Sequence, residues 1–252
     1  MKLTKKLSFI LGLIIAMGLL SSCDFTTRQK IESGLKEPLS VYPTKNLADF
    51  YDKEGYRDNN FSKDDKGVWS IYTEISKMNK EGLLRMEGVM LYVDRNSRTS
   101  EGYYFDYNES KDTRKNYKKK YPLTMKRNQL SLKDTNADEE IKRKVRHFKF
   151  FVQLGNLNDL GQYKETDASY NSQAPNYMIN YHLNQKDHNL KLIQKHFDVK
   201  VGKNPKLDIS GDGDFKSDVF KSNTINYTLD NNRDRYFTSV VSYKPKRAIT
   251  QE

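Results

Sequence analysis

WSIYTEIS, residues 69–76, alternates apolar or β-branched side chains with smaller or more polar ones. Successive side chains of a strand point to opposite faces, so this alternation gives a strand one face that can be buried. The face to be buried would carry Trp69, Ile71, Thr73 and Ile75. The stretch therefore predicts a half-buried strand of the kind common in antiparallel sheets.

The same two-residue period recurs along the chain on both sides of this strand. Turn-like residues 79–82 and 94–101 separate three candidate strands in a row. The other alternating stretches are residues 84–92, 103–107, 123–132, 177–183, 206–209, 225–229 and 237–243. Residues 109–120 are mostly charged and predict a loop, and residues 170–175 predict another.

Helical patterns are fewer. The clearest covers residues 136–154, where Asn136 and Glu139 form a capping-box-like pair ahead of apolar residues at helical spacing. Asp187 can cap a second helix, and Thr44 a short third one. Many strands with few helices and no βαβ alternation predict the α+β class. We expect a mainly antiparallel, meander-like sheet packed with two or three helices, with no clean internal repeat.

The N-terminus has the three parts of an export signal. Basic residues precede a 14-residue apolar run, residues 7–20. At about 1.5 Å per residue the run reaches only ~21 Å, short of the ~30 Å hydrocarbon core of a bilayer. Residues 20–23 (LSSC) match a lipobox, in which an aliphatic and two small residues precede the cysteine that takes a diacylglycerol. The alternative is cleavage at an ordinary site, which would leave Cys23 unmodified or remove it.

These patterns divide the chain into four parts. Residues 1–22 are the predicted lipoprotein signal peptide, 23–42 a polar tether, 43–246 a single α+β domain and 247–252 a frayed tail. Lipidation at Cys23 predicts attachment to the extracytoplasmic face of the cell membrane. Cys23 is the only cysteine, so no intramolecular disulfide can form and packing must stabilise the domain.

The chain is basic after removal of the signal as well as before it. Three of the 44 Lys and Arg residues lie in the signal, which leaves 41 against 33 Asp and Glu, a net charge of +8. A positive exported domain is attracted to anionic lipids, anionic wall polymers or an acidic host surface protein. Export argues against nucleic acid as a partner. Solubility alone is the alternative explanation of the charge.

Two basic clusters concentrate this charge. The first lies within residues 111–120, and its candidate contacts to an anionic partner are Lys115, Lys118, Lys119 and Lys120. The second lies on the polar part of the helix predicted over residues 136–154, and its candidates are Lys142, Arg143 and Arg146. For each cluster the alternative is an ordinary solvated surface.

Motifs for catalysis, cofactors or metals are missing from the sequence. Residues 208–214 (DISGDGD) begin like a calcium loop, but the twelfth position holds Val219 instead of a bidentate glutamate. A polar turn is therefore the preferred interpretation. The four histidines lack the i,i+4 spacing of a helical zinc site. We expect no enzymatic activity, no cofactor and no metal site.

Several blocks, in the same order along the chain, resemble the staphylococcal tandem lipoprotein family. They are YPTKNL (42–47), FYDKEGYRD (50–58), KGVW (66–69), DRN (94–96), GYYF (102–105), FKFF (148–151) and SYKP (242–245). The resemblance implies a cell-membrane lipoprotein encoded in clusters of paralogues. It also implies recognition through the lipid by a host Toll-like receptor and promotion of uptake into host cells. The family brings no established catalytic residue, so only Cys23 carries over as a site.

Two functional hypotheses follow from the sequence. The first is a non-enzymatic surface lipoprotein whose basic domain contacts host or envelope anions. The second is an exported carrier that holds a lipid or small apolar ligand in a sheet-lined pocket. A deep apolar pocket would favour the carrier, whereas a filled interior with a basic face would favour surface binding.

Overall fold

The computed structural model describes residues 26–213, 222–231 and 234–249. Its strands belong to one sheet, in which every neighbouring pair is antiparallel. The first five are β1 (Val68–Met78), β2 (Leu84–Asp94), β3 (Thr99–Asn108), β4 (Tyr117–Lys126) and β5 (Gln129–Leu132). The others are β6 (Lys164–Asn171), β7 (Asn176–His182), β8 (Lys206–Asp212), β9 (Ser222–Thr228) and β10 (Arg235–Lys244).

The sheet consists of two meanders joined at their centre. Its order is β5-β4-β3-β2-β1-β10-β9-β8-β7-β6, so the first meander runs outward from β1 and the second runs inward to β10. The central pair places Trp69 opposite Tyr243 and Ile75 opposite Phe237. The predicted strand and its buried side are confirmed, because Ile71 and Thr73 are both fully buried beneath the helices. The strand is not half-buried, however, because Ser70, Glu74 and Ser76 on its other face are only 8%, 9% and 7% exposed.

Five helices occur among the described residues: α1 (Thr27–Leu35), α2 (Glu139–His147), α3 (Phe151–Leu154), α4 (His188–Phe197) and α5 (Lys246–Ile249). Three of them have nine or ten residues, and the other two have four. The predicted α+β class, with a mainly antiparallel sheet and few helices, is confirmed. Asp187 caps α4 as expected, because its side chain accepts a hydrogen bond from the Leu190 amide at 2.9 Å.

Helices α1 to α4 pack against one face of the sheet, which we call the covered face. The amide of Phe151 donates a hydrogen bond to the Thr73 hydroxyl at 3.1 Å. The Phe151 ring centroid lies 5.8 Å from that of Tyr42, 5.5 Å from that of Tyr227 and 5.4 Å from that of Phe237. Aromatic rings therefore fill the centre of the covered face, and packing supplies the stability that disulfides do not.

The opposite face of the sheet, which we call the open face, carries the alternate residues of each strand. On β1 these are Ser70, Tyr72, Glu74 and Ser76. Tyr72 stacks on Phe105 of β3, with ring centroids 5.7 Å apart. Tyr72 and Ser76 both donate hydrogen bonds to the Glu74 carboxylate, which is 9% exposed. Polar pairs and stacked rings thus occupy the centre of this face.

The predicted tether is wrong from Thr26 onward. Helix α1 opens with a capping box between Thr26 and Gln29, and both Ile31 and Leu35 are fully buried. The Tyr181 hydroxyl of β7 donates to Glu32 at 2.9 Å. Ile31, Leu35 and Leu39 recur every four residues and give α1 and the following turn an apolar side, a stripe that the many polar neighbours obscure in the sequence. Residues 1–25, with the predicted signal and Cys23, lie outside the described residues.

The helix predicted over residues 136–154 is two helices. Asp138, and not Asn136, caps α2, and Phe148 is extended with φ −61° and ψ 137°. The break lets the Phe148 and Phe150 rings meet edge to face at 5.2 Å before α3 begins. Burial of neighbouring aromatic side chains therefore overrides the helical period. The short helix predicted to follow Thr44 is a 3₁₀ turn, Leu47–Tyr51, whose N-cap is Asn46.

Three further differences concern charged or polar stretches. Part of the loop predicted over residues 109–120 is strand, because β4 begins at Tyr117. Strand β6, which includes part of the loop predicted over residues 170–175, has a bulge between Glu165 and Asp167 that breaks its period. The predicted frayed tail begins instead with α5, where the Lys246 ammonium lies 2.8 Å from Asp94. Residues 250–252 are outside the described part of the chain.

A network at one end of β1 and β10 unites three of the sequence blocks that carry the family resemblance. Arg95 donates to the Lys66 carbonyl at 2.6 Å and to the Tyr243 hydroxyl at 2.6 Å. The Tyr243 ring stacks on Phe61 at 5.2 Å and lies 4.8 Å from the Trp69 ring. These blocks therefore close the end of the sheet, and their contacts are structural.

Candidate functional site

The first basic cluster combines a short turn with the start of β4. Lys115 ends the 3₁₀ turn Thr113–Lys115, whereas Lys118, Lys119 and Lys120 lie on β4. All four are exposed, and within the described chain none has a carboxylate at ion-pair distance. The other two cations of this cluster are neutralised: Lys111 lies 2.9 Å from Glu81, and Arg114 lies 2.9 Å from Asp112. The uncompensated charge thus rests on the four lysines that the sequence singles out.

The strand conformation divides these lysines between two faces. Lys118 pairs with Tyr107 and Lys120 with Phe105, which places both on the open face. Lys119 pairs with Asp106 and belongs to the covered face. The Lys120 ammonium lies 4.2 Å from the Tyr103 ring centroid, a cation–π contact. The cluster is therefore a basic edge seen from both sides of the sheet; we call Lys115, Lys118, Lys119 and Lys120 the lysine edge.

The second basic cluster lies on α2, and only part of it is uncompensated. Lys142 is held by Glu139 at 2.7 Å. Arg143 and Arg146 are exposed, and neither has an ion-pair partner among the described residues. Cations in the last turn of a helix are favoured by the negative end of its dipole, which explains part of this charge. Val145 is 1% exposed and holds the helix to the sheet.

A half-open cleft of about 710 Å³ lies where the C-terminal ends of α2 and α4 approach the covered face. Its floor and apolar wall are Ile75, Tyr104, Phe148 and Phe197. Its polar wall is Lys77, Glu87, Arg143, Lys144, His147, His196 and Asp198. The volume falls within the ~300–1,000 Å³ typical of small-molecule sites.

Some of the titratable groups in the cleft are paired and others are not. Lys144 lies 2.8 Å from Glu87, and the Tyr104 hydroxyl donates to the same carboxylate at 3.1 Å. Burial alone would raise the pKa of Glu87, but Lys144 and Tyr104 lower it, so this carboxylate is ionised and satisfied at neutral pH. Burial lowers the pKa of His196, with help from Lys195 and Lys149, so this ring is mainly neutral at pH 7.

The fold brings some of the predicted residues together and keeps others apart. Arg143 lines the cleft together with Lys77 and His196, whereas Arg146 and Lys142 line a separate cavity of about 270 Å³ beside β5. The lysine edge does not line the cleft. Sequence reasoning missed Lys77, His147 and His196 as site residues, because nothing local in the sequence links β1 with the ends of α2 and α4.

Most of the calcium-like stretch, residues 208–214, is neither a calcium loop nor a polar turn but part of a strand. Lys206–Asp212 is strand β8, and Asp208, Ser210 and Asp212 share its open face. Asp214 and Val219 lie outside the described residues. Within the described ranges, no three His, Cys, Asp or Glu side chains are placed to hold one metal ion. None of the helices described for this chain is long and apolar enough to cross a membrane.

These features define a class of protein: a basic α+β domain built on one antiparallel sheet with helices on a single face. The profile of the Csa1 family matches residues 27–246, which cover the whole described sheet. The chain belongs to the Csa1 family.

Related proteins agree with this assignment. An uncharacterized lipoprotein of Staphylococcus epidermidis is 38% identical over 248 residues, covering 96% of this chain and 97% of the relative. An uncharacterized lipoprotein of Staphylococcus aureus is 36% identical over 255 residues, covering 97% of this chain and 99% of the relative. The resemblance to a staphylococcal lipoprotein family is therefore confirmed over nearly the full length.

Proposed function

We propose that this protein is a non-enzymatic surface lipoprotein, anchored through Cys23 to the extracytoplasmic face of the cell membrane, whose basic edge binds anionic partners. The observation that carries the proposal is the lysine edge, four exposed lysines without a carboxylate partner in the described chain. Surface cations that are already paired contribute little attraction, whereas unpaired ones keep their full charge for a partner.

The position of α1 supports a lysine edge that lies far from the membrane anchor. Thr26 already belongs to the capping box of α1, so only two residues separate it from Cys23. At ~3.6 Å per residue the anchor must lie within roughly 11 Å of Thr26. Helix α1 packs on β6 and β7, at the far end of the sheet from β4. Eight strand spacings of ~4.8 Å separate β6 from β4, about 38 Å along the sheet.

This separation favours partners other than the lipid beside the anchor. Two acyl chains are sufficient for stable membrane attachment, so the lysine edge is not needed for it. Anionic wall polymers, anionic lipid surfaces and an acidic host surface protein all offer the complementary charge. Of the two roles implied by the family resemblance, recognition by a host receptor is through the lipid, and uptake into host cells is the role that a basic surface outside the membrane would serve.

The filled interior favours surface binding over the carrier hypothesis. Phe151, Tyr42, Tyr227 and Phe237 occupy the space between helices and sheet that an apolar ligand would need. The cleft at the ends of α2 and α4 is half open and lined by charged groups as well as apolar ones. Neither feature supports a deep, purely apolar pocket.

We expect charge removal from the lysine edge to weaken binding to anionic surfaces without unfolding the protein. The chain from residue 23 onward, with Cys23→Ser, contains the whole described core, from Ile31 to Tyr243. In that background Lys115, Lys118, Lys119 and Lys120 are replaced with Gln, and Lys142, Arg143 and Arg146 in a second variant. Each Lys or Arg near an anionic surface contributes about 1 kcal/mol, so binding to phosphatidylglycerol vesicles should fall at least ~10-fold for the lysine-edge variant.

A control variant with the same charge change separates position from net charge. Lys164, Lys186, Lys191 and Lys203 are also exposed, but they belong to the second half of the chain. Their replacement with Gln should weaken vesicle binding much less. Two results would show that the lysine edge is not the binding surface. One is an equal loss of vesicle binding in the two four-lysine variants, and the other is no loss of vesicle binding in the variant of either basic cluster.

A further inference from the structure

The cleft contains cations that the protein itself does not neutralise. Lys77 and Arg143 line it, and neither has a hydrogen bond or ion pair from its side chain to any described residue. The nearby Lys144 is already held by Glu87. His147 uses one ring nitrogen on the Arg143 carbonyl at 2.9 Å, which leaves the other for a ligand. His196 completes this wall from α4.

The opposite wall is suited to an organic group. Phe148 and Phe197 meet edge to face with centroids 5.8 Å apart, and Tyr104 is 2% exposed. Ile75 forms part of the floor and is 5% exposed. A site with apolar walls and a few converging polar groups is the usual form of a small-molecule site. Its size admits a ring or a short chain beside the charged group.

We propose that this cleft binds a phosphate ester: the phosphate contacts Lys77 and Arg143, and its apolar substituent packs against Phe148 and Phe197. Arginine can hold phosphate oxygens through two parallel N–H donors, and a dianion matches two unpaired cations better than a carboxylate does. Asp198 also lines the cleft and repels anions, so binding of the phosphate depends on contact with both cations. The lysine edge and Arg146 do not line the cleft, so this site is separate from the surface binding proposed above.

Calorimetric titration of the Cys23→Ser chain from residue 23 with phenyl phosphate tests the proposal. We expect millimolar or tighter binding, at least ~10-fold stronger than for inorganic phosphate or for phenol, because each of those probes satisfies only one wall. Dihexanoyl phosphatidic acid provides the lipid form of the same chemistry. Tighter binding of the lipid would identify a headgroup ligand, and tighter binding of phenyl phosphate a soluble phosphate ester.

Variants on the same helix locate the site. Arg143→Gln and Lys77→Gln should each weaken phenyl phosphate binding at least ~10-fold, since each removes a charged phosphate contact. Arg146→Gln removes an equal charge three residues away, in a different cavity, and should leave binding unchanged. Absence of phenyl phosphate binding, equal binding of phenol, or equal losses in all three variants would overturn the proposal. Circular dichroism confirms that each variant is folded. None of these outcomes bears on the proposed binding of vesicles by the lysine edge, which is tested separately.

Discussion

Gly67→Ala is expected to lower the free energy of unfolding by about 3 kcal/mol, through a left-handed backbone strain and a clash that overpacks the site. Gly67 has φ +74°, and an added Cβ would lie 2.5 Å from Cζ of Tyr243. The ring cannot move aside easily, because Phe61 stacks on it and Arg95 and the Lys66 carbonyl hold its hydroxyl. Urea denaturation of the Cys23→Ser chain measures the change.

Gly82→Ala is the matched control for this substitution. Gly82 has φ +77°, nearly the same as Gly67, but no atom lies within 4 Å of the position its Cβ would take. Backbone strain alone should cost about 1–2 kcal/mol there. If the two variants lose equal stability, the packing of Tyr243 against Gly67 does not hold the end of the sheet as described.

Cys23→Ala is expected to release the protein from the membrane fraction almost completely. The thiol is the only group in the chain that can take the diacylglycerol, since Cys23 is the only cysteine. Two acyl chains give stable anchoring, and their loss leaves a domain held by charge alone, which salt removes. Cell fractionation in salt, followed by mass spectrometry of the N-terminal peptide, measures both location and lipid.

Ser22→Ala is the control for the anchor. It keeps a small residue before the cysteine, so processing should continue and the protein should stay in the membrane fraction with its lipid. Retention of the Cys23→Ala protein in the membrane, with no lipid on its N-terminal peptide, would contradict anchoring through Cys23.

Much of the sheet could be predicted because its strands have one buried face. The alternation at residues 177–183 reports that burial directly, whereas the alternation at residues 69–76 marks the helix-covered side of a strand that is buried on both faces. The helix capped by Asp187 has three apolar residues at helical spacing. Prediction failed where tertiary packing overrides the local pattern. Helix α1 hides two buried residues among polar ones, and the run of phenylalanines after α2 breaks a helix that the period would continue.

The candidate site could be predicted only in part. The unpaired lysines and arginines are visible as charge in the sequence. The division of the lysines between the two faces of the sheet, however, depends on β4 being a strand. Charged residues on both faces leave no alternation to recognise at the start of β4, where β5 pairs only from Leu123 onward. Charges on such an uncovered strand edge are a common device against aggregation. The cleft depends on contacts between β1, α2 and α4, which lie far apart along the chain.

Salt dependence of vesicle binding tests the central claim, that an uncompensated lysine edge binds anionic partners. Binding of the Cys23→Ser chain to phosphatidylglycerol vesicles is measured by sedimentation from low salt to several times physiological ionic strength. Exposed charges are screened over about 8 Å at physiological ionic strength, so affinity should fall steeply with added salt. The variant with Gln at positions 115, 118, 119 and 120 should bind weakly, with a much shallower dependence. Salt-independent binding, or the same steep dependence in that variant, would contradict the account.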